Sequence, residues 1–173
     1  MHKRLNLSLK IKPFETKFND YSKESFIPRV SRIRPYLFLG NVESSSDISF
    51  INDNNITTII NCTPDLPNKY EHQGICYIRI PISDILSEPI HNYFKMTYNI
   101  INKTKKNGGN VLIHCLQGIS RSSTIVLAYL MKEEKKTFSE AFMDVGKYRQ
   151  CISPNISFIN QLIKLEKTIN YNE

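Results

Sequence analysis

The chain has 173 residues, 40% hydrophobic and 23% charged, the balance of one globular domain; that excludes two full catalytic domains, a collagen-like repeat and an intrinsically disordered composition. Lys and Arg number 23 against 16 Asp and Glu, a net charge of +7, which suits nucleic acid, an acidic membrane or a phosphorylated substrate and does not choose between them. No stretch approaches the ~18 consecutive apolar residues of a membrane span, and Lys3 and Arg4 are followed by Asn6, Ser8, Lys10 and Lys12 rather than by the apolar centre of a signal peptide.

Residues 1–29 contain Pro13 and Pro28, mixed charge and weak periodicity, and read as a basic extension suited to an acidic partner. A folded domain over residues 30–169 and a tail over 170–173 complete the expected organisation. Residues 33–39 are aromatic and apolar and predict one short strand closed by Gly40. A short helix is expected from 46 to 50, stopping in the cluster Asn52-Asp53-Asn54-Asn55. Residues 56–62 are β-branched almost throughout, as in a strand buried on both faces.

Another strand is expected over 75–81, then a polar loop over 83–89. Ile90, Phe94, Tyr98 and Ile101 recur at helical spacing and predict a helix over 89–105. Asn107-Gly108-Gly109-Asn110 turns the chain into a buried strand over 111–114. Helices are expected over 122–134, 137–149 and 155–169. Strands alternating with helices, then helices alone, predict an α/β layer fold.

Arg29, Arg32 and Arg34 form the densest arginine group, and Arg32 and Arg34, two apart on an extended segment, share a face, either a solvated strand edge or a surface that steers an acidic phosphopeptide. The 4 cysteines, Cys62, Cys76, Cys115 and Cys151, include no C-x-x-C pair, which speaks against zinc and for free thiols in a reducing compartment, the cytoplasm and secondarily the nucleus. Cys62 reads as a small buried hydrophobe or as a redox partner for Cys115 on a neighbouring strand.

Residues 111–124 read Val-Leu-Ile-His-Cys-Leu-Gln-Gly-Ile-Ser-Arg-Ser-Ser-Thr: a buried strand, a short loop, then a helix whose Ile125 to Met131 is too apolar for a surface position. Such a loop aims its N–H groups and the helix dipole at one point, which is an anion site. Cys115 at its base is a candidate nucleophile whose thiolate the N–H groups and Arg121 favour. Gly118 admits close backbone approach, Arg121 offers a planar fork for two phosphoryl oxygens, and Ser122 places a hydroxyl near the sulfur. With 4 Cys, 4 His and 6 Gly in the chain, His-Cys-x-x-Gly-x-x-Arg arises by chance about 0.0001 times.

His114-Cys115-x-x-Gly118-x-x-Arg121-Ser122 resembles the signature loop of the cysteine-based protein tyrosine phosphatase superfamily. Ser120-Arg121-Ser122, with Ala128-Tyr129-Leu130-Met131 downstream, resembles the small atypical dual-specificity protein phosphatases in particular. Tyr36-Leu37-Phe38-Leu39-Gly40 is similar to that family's opening strand, and Arg149 through Ser153-Pro154-Asn155 to Phe158, Gln161 and Leu162 to its closing helix, so the match covers about residues 30–166. Gln117 departs from the usual Ala and bears on substrate fit.

The resemblance implies a central, roughly five-stranded mixed sheet flanked by helices, and hydrolysis of phosphotyrosine and phosphoserine or phosphothreonine in proteins through a phosphocysteine. No metal, cofactor or nucleic acid takes part in that chemistry. Leu116, Gln117, Gly118, Ile119, Ser120 and Arg121 would bind the phosphoryl group, with His114 and Asn155 in support. Asp84 in Ile80-Pro81-Ile82-Ser83-Asp84 falls where the family has its general acid, with Glu88 and Asp65 as runners-up and a loop or cap carboxylate as the plain alternative. Asn155 either bonds the signature loop or caps a helix. Phosphoinositides and RNA 5′-phosphates share this chemistry, but the uncharged Leu116, Gln117, Ile119 and Ser120 favour protein substrates. A non-catalytic phosphoprotein-binding module is disfavoured because Cys115, Arg121 and Asp84 are all present.

Overall fold

The structure, a computed structural model, describes residues 27–170. The expected acidic partner for the basic extension falls on residues 1–26, and most of the expected tail on 171–173, outside the described residues. Five strands, β1 (Val30–Arg34), β2 (Leu37–Gly40), β3 (Ile56–Asn61), β4 (Cys76–Arg79) and β5 (Asn110–His114), form one sheet in the order β1-β2-β5-β3-β4. β1 is antiparallel to β2 and every other pair is parallel, which makes the mixed sheet expected from the sequence.

Alternation sorts the side chains of the central strands. Leu37, Leu39, Ile60, Cys62, Val111, Ile113 and Cys115 join the larger core on one face, while Phe38, Ile59 and Leu112 face the other. The smaller core is completed by α1 (Ile48–Asp53) through Ile51. On the larger face lie α2 (Phe94–Lys106), α3 (Arg121–Glu133), α4 (Phe138–Tyr148) and α5 (Ile156–Asn170). Every residue of α3 from Ser122 to Met131 is buried, because the helix packs against α2, α4, α5 and the sheet at once. A fully buried Phe158 or Leu162 on α5 contributes about 1.5–3 kcal/mol relative to exposure.

Three expectations are corrected. Residues 33–39 are not one strand but the end of β1, a turn and the start of β2, since Pro35 has no N–H for the ladder and the chain reverses there. The first helix begins at Ile48, because Asp47 is its cap: the Asp47 carboxylate accepts the Phe50 N–H at 3.0 Å. The helix expected from 89 opens as a 3₁₀ turn, Ile90–Tyr93, before α2 proper.

The arginine group is also redistributed. β1 is an edge strand, as a solvated face requires, but Arg34 turns inward and donates to Glu134 at 2.7 and 2.8 Å and to Asp144 at 2.5 Å. The Glu134 and Asp144 contacts hold its pKa above the ordinary value against the opposing effect of burial. Arg34 therefore joins the sheet edge to α4 and the end of α3, and has no charge to spare for steering.

Parallel registry decides where the site lies. Gly40, Asn61 and His114 are aligned across β2, β3 and β5, so the loops leaving these three strands emerge side by side at the carboxyl edge of the sheet.

Candidate active site

Between the last residue of β5, His114, and the first of α3, Arg121, the chain makes a tight loop. Its carbonyls are fastened outward one after another. Leu116 O accepts the Val42 N–H at 3.2 Å, and Ile119 O the Ser153 N–H at 2.9 Å. Arg149 donates from Nη2 to Gln117 O at 3.0 Å and from Nε to Gly118 O at 2.8 Å. Ser120 O accepts the hydroxyls of Ser123 and Thr124, each at 2.8 Å. In a trans peptide the C=O and the following N–H point in opposite directions, so tying these carbonyls outward turns the N–H groups of residues 117–121 inward.

Gly118 is required in this turn. Its φ is +71°, and a Cβ there would stand 2.5 Å from Gly40 O and 2.7 Å from Arg149 Nη2.

Cys115 sits at the floor, 2% exposed. Its Sγ accepts the Gly118 N–H and the Ser122 hydroxyl, both at 3.2 Å. Burial pushes the thiol pKa up, but the Ser122 hydroxyl and N–H, the Gly118 N–H and the Arg121 charge together bring it below the ordinary value. Arg121 donates from Nη1 to Ile82 O at 3.2 Å, while its Nε–H is buried with no acceptor among the described residues. An orphaned buried donor of this kind costs about 1–3 kcal/mol, and anionic oxygens held in the loop would satisfy it. His114 is buried beneath, its pKa lowered by desolvation to about 4, so the ring is neutral at neutral pH.

Asp84 reaches the same pocket from the loop after β4. Its Oδ1 accepts Ser120 Oγ–H at 2.7 Å and Asn155 Nδ2–H at 2.8 Å. The two readings of Asn155 both hold: its Oδ1 caps α5 through the Phe158 N–H at 3.0 Å, while its own N–H donates to Ser120 Oγ at 3.1 Å. The pocket holds about 370 Å³ and is lined by Asp84, Cys115, Leu116, Gln117, Ile119, Ser120, Arg121, Ser153 and Asn155. Of the runner-up acids, Glu88 braces the Asp84 loop by accepting the Ser83 N–H at 3.0 Å, and Asp65 lines a neighbouring depression. A groove of about 390 Å³ between α2, α3 and α5 contains none of these residues.

The sequence-selected residues thus converge. What sequence reading missed is the function of Arg149, which it placed only in a helix pattern; the residue is fully buried and fastens two loop carbonyls. An arginine ending an amphipathic helix carries no local sign of burial.

Residues 37–168 match the family described as "Dual specificity phosphatase, catalytic domain". The chain belongs to this family. Human dual specificity protein phosphatase 7 is 38% identical over 139 residues, 80% of this chain and 33% of that protein. The mouse dual specificity protein phosphatase 2 is 40% identical over 138 residues, 79% of this chain and 43% of that protein. The chain therefore spans less than half the length of these curated relatives. Among solved structures, human DUSP28 superposes with a TM-score of 0.79 at 26% identity, covering 83% of this chain and 96% of that one. As a dual specificity phosphatase domain, the chain has the five-stranded mixed sheet of those neighbours together with the Cys115, Arg121 and Asp84 constellation.

Proposed function

We propose that this domain hydrolyses phosphotyrosine and phosphoserine or phosphothreonine in proteins through a phosphocysteine. The observation that carries the reading is the anion nest: a low-pKa Cys115 sulfur ringed by loop donors, with the unmatched Nε–H of Arg121 buried beside it. The Cys115 thiolate attacks phosphorus in line and forms the S–P bond as the P–O bond to the side chain breaks. Asp84, in its acid form, gives its proton to the departing oxygen. The loop N–H groups and Arg121 hold the equatorial oxygens as charge spreads over them. Water then attacks phosphorus, Asp84 takes its proton, the S–P bond breaks, and the Ser122 hydroxyl stabilises the returning thiolate.

Catalysis is favoured over mere binding of a phosphoprotein because nucleophile, phosphate-binding arginine and acid line one pocket. The test is hydrolysis of an aryl phosphate and of a phosphothreonine peptide by wild type, Cys115→Ser and Asp84→Asn. Cys115→Ser abolishes turnover on both. Asp84→Asn lowers kcat by about 10²–10⁴-fold on the peptide and much less on an aryl phosphate with a good leaving group. Wild-type turnover by Cys115→Ser would refute the mechanism.

A further inference from the structure

We propose that a second depression beside the catalytic pocket is the subsite for the residue next to the phosphorylated one, taking an apolar or basic side chain and rejecting an acidic or phosphorylated one. The inference rests on the phosphatase reading and specifies its substrate. The depression, of about 330 Å³, is formed by the loop after β3, with Thr63, Pro64, Asp65 and Leu66, and by Ser83. It shares Asp84, Leu116 and Arg121 with the catalytic pocket. A chain whose phosphoryl group lies in the loop at Cys115 can therefore lay one of its neighbouring residues on this surface.

The wall of the depression is built in advance. Arg79 donates from Nη1 to Thr63 O at 3.0 Å and from Nη2 to Leu66 O at 2.8 Å. Asn61, fully buried at the end of β3, donates to Leu66 O at 2.9 Å and accepts the Thr63 hydroxyl at 2.6 Å. The Leu66 N–H in turn donates to Thr63 Oγ1 at 3.3 Å. A loop fastened this way need not be ordered when a substrate arrives.

Its chemistry is selective. Pro64, Leu66 and Leu116 give it apolar sides, and Leu116 is 50% exposed. The apolar surface continues around the mouth: Ile85 and Ile156, 53% and 60% exposed, follow Asp84 and Asn155, which are hydrogen bonded to each other. Together with Leu116 they offer apolar area to a substrate chain around the mouth. The charges facing the depression are the carboxylates of Asp65 and Asp84 and the guanidinium of Arg121, which the phosphoryl group occupies. Arg79 is turned into the carbonyls of the loop. Among the described residues that line the depression, a second anion would thus meet Asp65 with no uncommitted cation to receive it.

The test compares kcat/KM for phosphotyrosine peptides that differ only in the adjacent residue, scanned on each side: Leu, Lys, Glu or phosphothreonine. On the side that meets the subsite, Leu and Lys exceed Glu by about two- to fivefold, the size expected of an exposed charge interaction, and exceed phosphothreonine by more. Asp65→Asn narrows these ratios and Asp65→Lys reverses the order, with circular dichroism showing both variants folded. Equal rates across the wild-type series, or ratios unmoved by Asp65→Lys, would overturn the subsite while aryl phosphate hydrolysis left the phosphatase reading standing. Failure of the wild type on every phosphoester would overturn both.

Discussion

Arg149 offers a demanding test of how the catalytic loop is held. Its side chain is fully buried and serves four acceptors: Gly118 O at 2.8 Å, Gln117 O at 3.0 Å, Pro28 O at 2.7 Å and Ser31 Oγ at 3.4 Å. Burial lowers its pKa from the ordinary value, so the guanidinium is kept there by its hydrogen bonds against a desolvation cost. Arg149→Met leaves the buried Gly118 carbonyl unpaired at about 1–3 kcal/mol, while the part-buried Gln117 and Pro28 carbonyls can turn to water at less cost and the buried charge goes too; a net loss of about 1–3 kcal/mol follows. Catalysis suffers separately. With Gln117 O and Gly118 O released, the N–H groups of Gly118 and Ile119 lose their aim, and losing well-placed oxyanion donors costs about 10²–10³ in kcat apiece when complete. A partial loss predicts kcat lowered by about 10–100-fold, with Arg149→Lys between Met and wild type because one ammonium cannot span the fork. The assay is steady-state hydrolysis of an aryl phosphate against pH, at a temperature where urea titration shows each variant folded. Because the Gly118 N–H bonds Cys115 Sγ, the acidic limb of the kcat/KM profile moves to higher pH. A folded Arg149→Met enzyme with wild-type kcat and an unmoved acidic limb would refute this role.

Other outcomes follow from the same geometry. Asn155→Ala lowers stability by about 1 kcal/mol through loss of the α5 cap and lowers kcat on peptide substrates by freeing Asp84, whereas Asn155→Asp keeps the cap but sets a second carboxylate against Asp84 in place of the amide donor; thermal melts and kcat separate the two. His114 is neutral in the native state down to pH about 4, while the unfolded chain protonates it below about 6.5. Its contribution to stability therefore declines as pH falls below 6.5 and is gone below 4, with about 2 kcal/mol lost by pH 5. Urea midpoints from pH 7 to 5 measure this, and a flat profile over that range would contradict the assignment. Glu134 and Asp144, whose pKa values the Arg34 and Lys136 contacts lower, stabilise above the ordinary carboxylate range. That stability begins to fall near the ordinary carboxylate values and is gone once pH passes below their depressed ones, so most of its loss lies below the window where His114 acts.

How much the sequence reveals depends on how local the determinant is. The strands β3 and β5 are legible because β-branched runs between turn residues specify a buried strand without reference to anything distant. Cys115, Gly118 and Arg121 are legible for the same reason, since one short turn contains them. Arg34 is not: its alternation with Arg32 suggests one shared face, but the ladder is irregular between the two and the Arg34 partners lie 100 and 110 residues away, and nothing nearby announces them. Pro35 is a local sign of the reversal, since a residue without an N–H interrupts the ladder within an aromatic run. Asn155 fits both readings because they draw on different atoms: its side-chain oxygen caps α5, its backbone N–H donates to Ser120 of the loop, and its side-chain nitrogen is left to hold Asp84.

The geometry of the loop predicts which of its positions can vary and which cannot. The donors that would hold a phosphoryl group are backbone N–H groups, and any residue supplies one. Leu116, Gln117 and Ile119 can therefore vary without dismantling the nest, and Gln117 in particular leaves its carbonyl available to Arg149. What cannot vary freely is whatever points those peptides. Gly118 must accept a positive φ against Gly40, and the outward carbonyls must find Val42, Ser123, Thr124, Arg149 and Ser153. Those partners come from the turn after β2, the first turn of α3, the end of α4 and the segment before α5, so the anion site exists only once these elements have packed. Substitutions far from Cys115 in sequence should then damage turnover more than changes to the exposed side chains of the loop, which alter fit to the substrate rather than the chemistry.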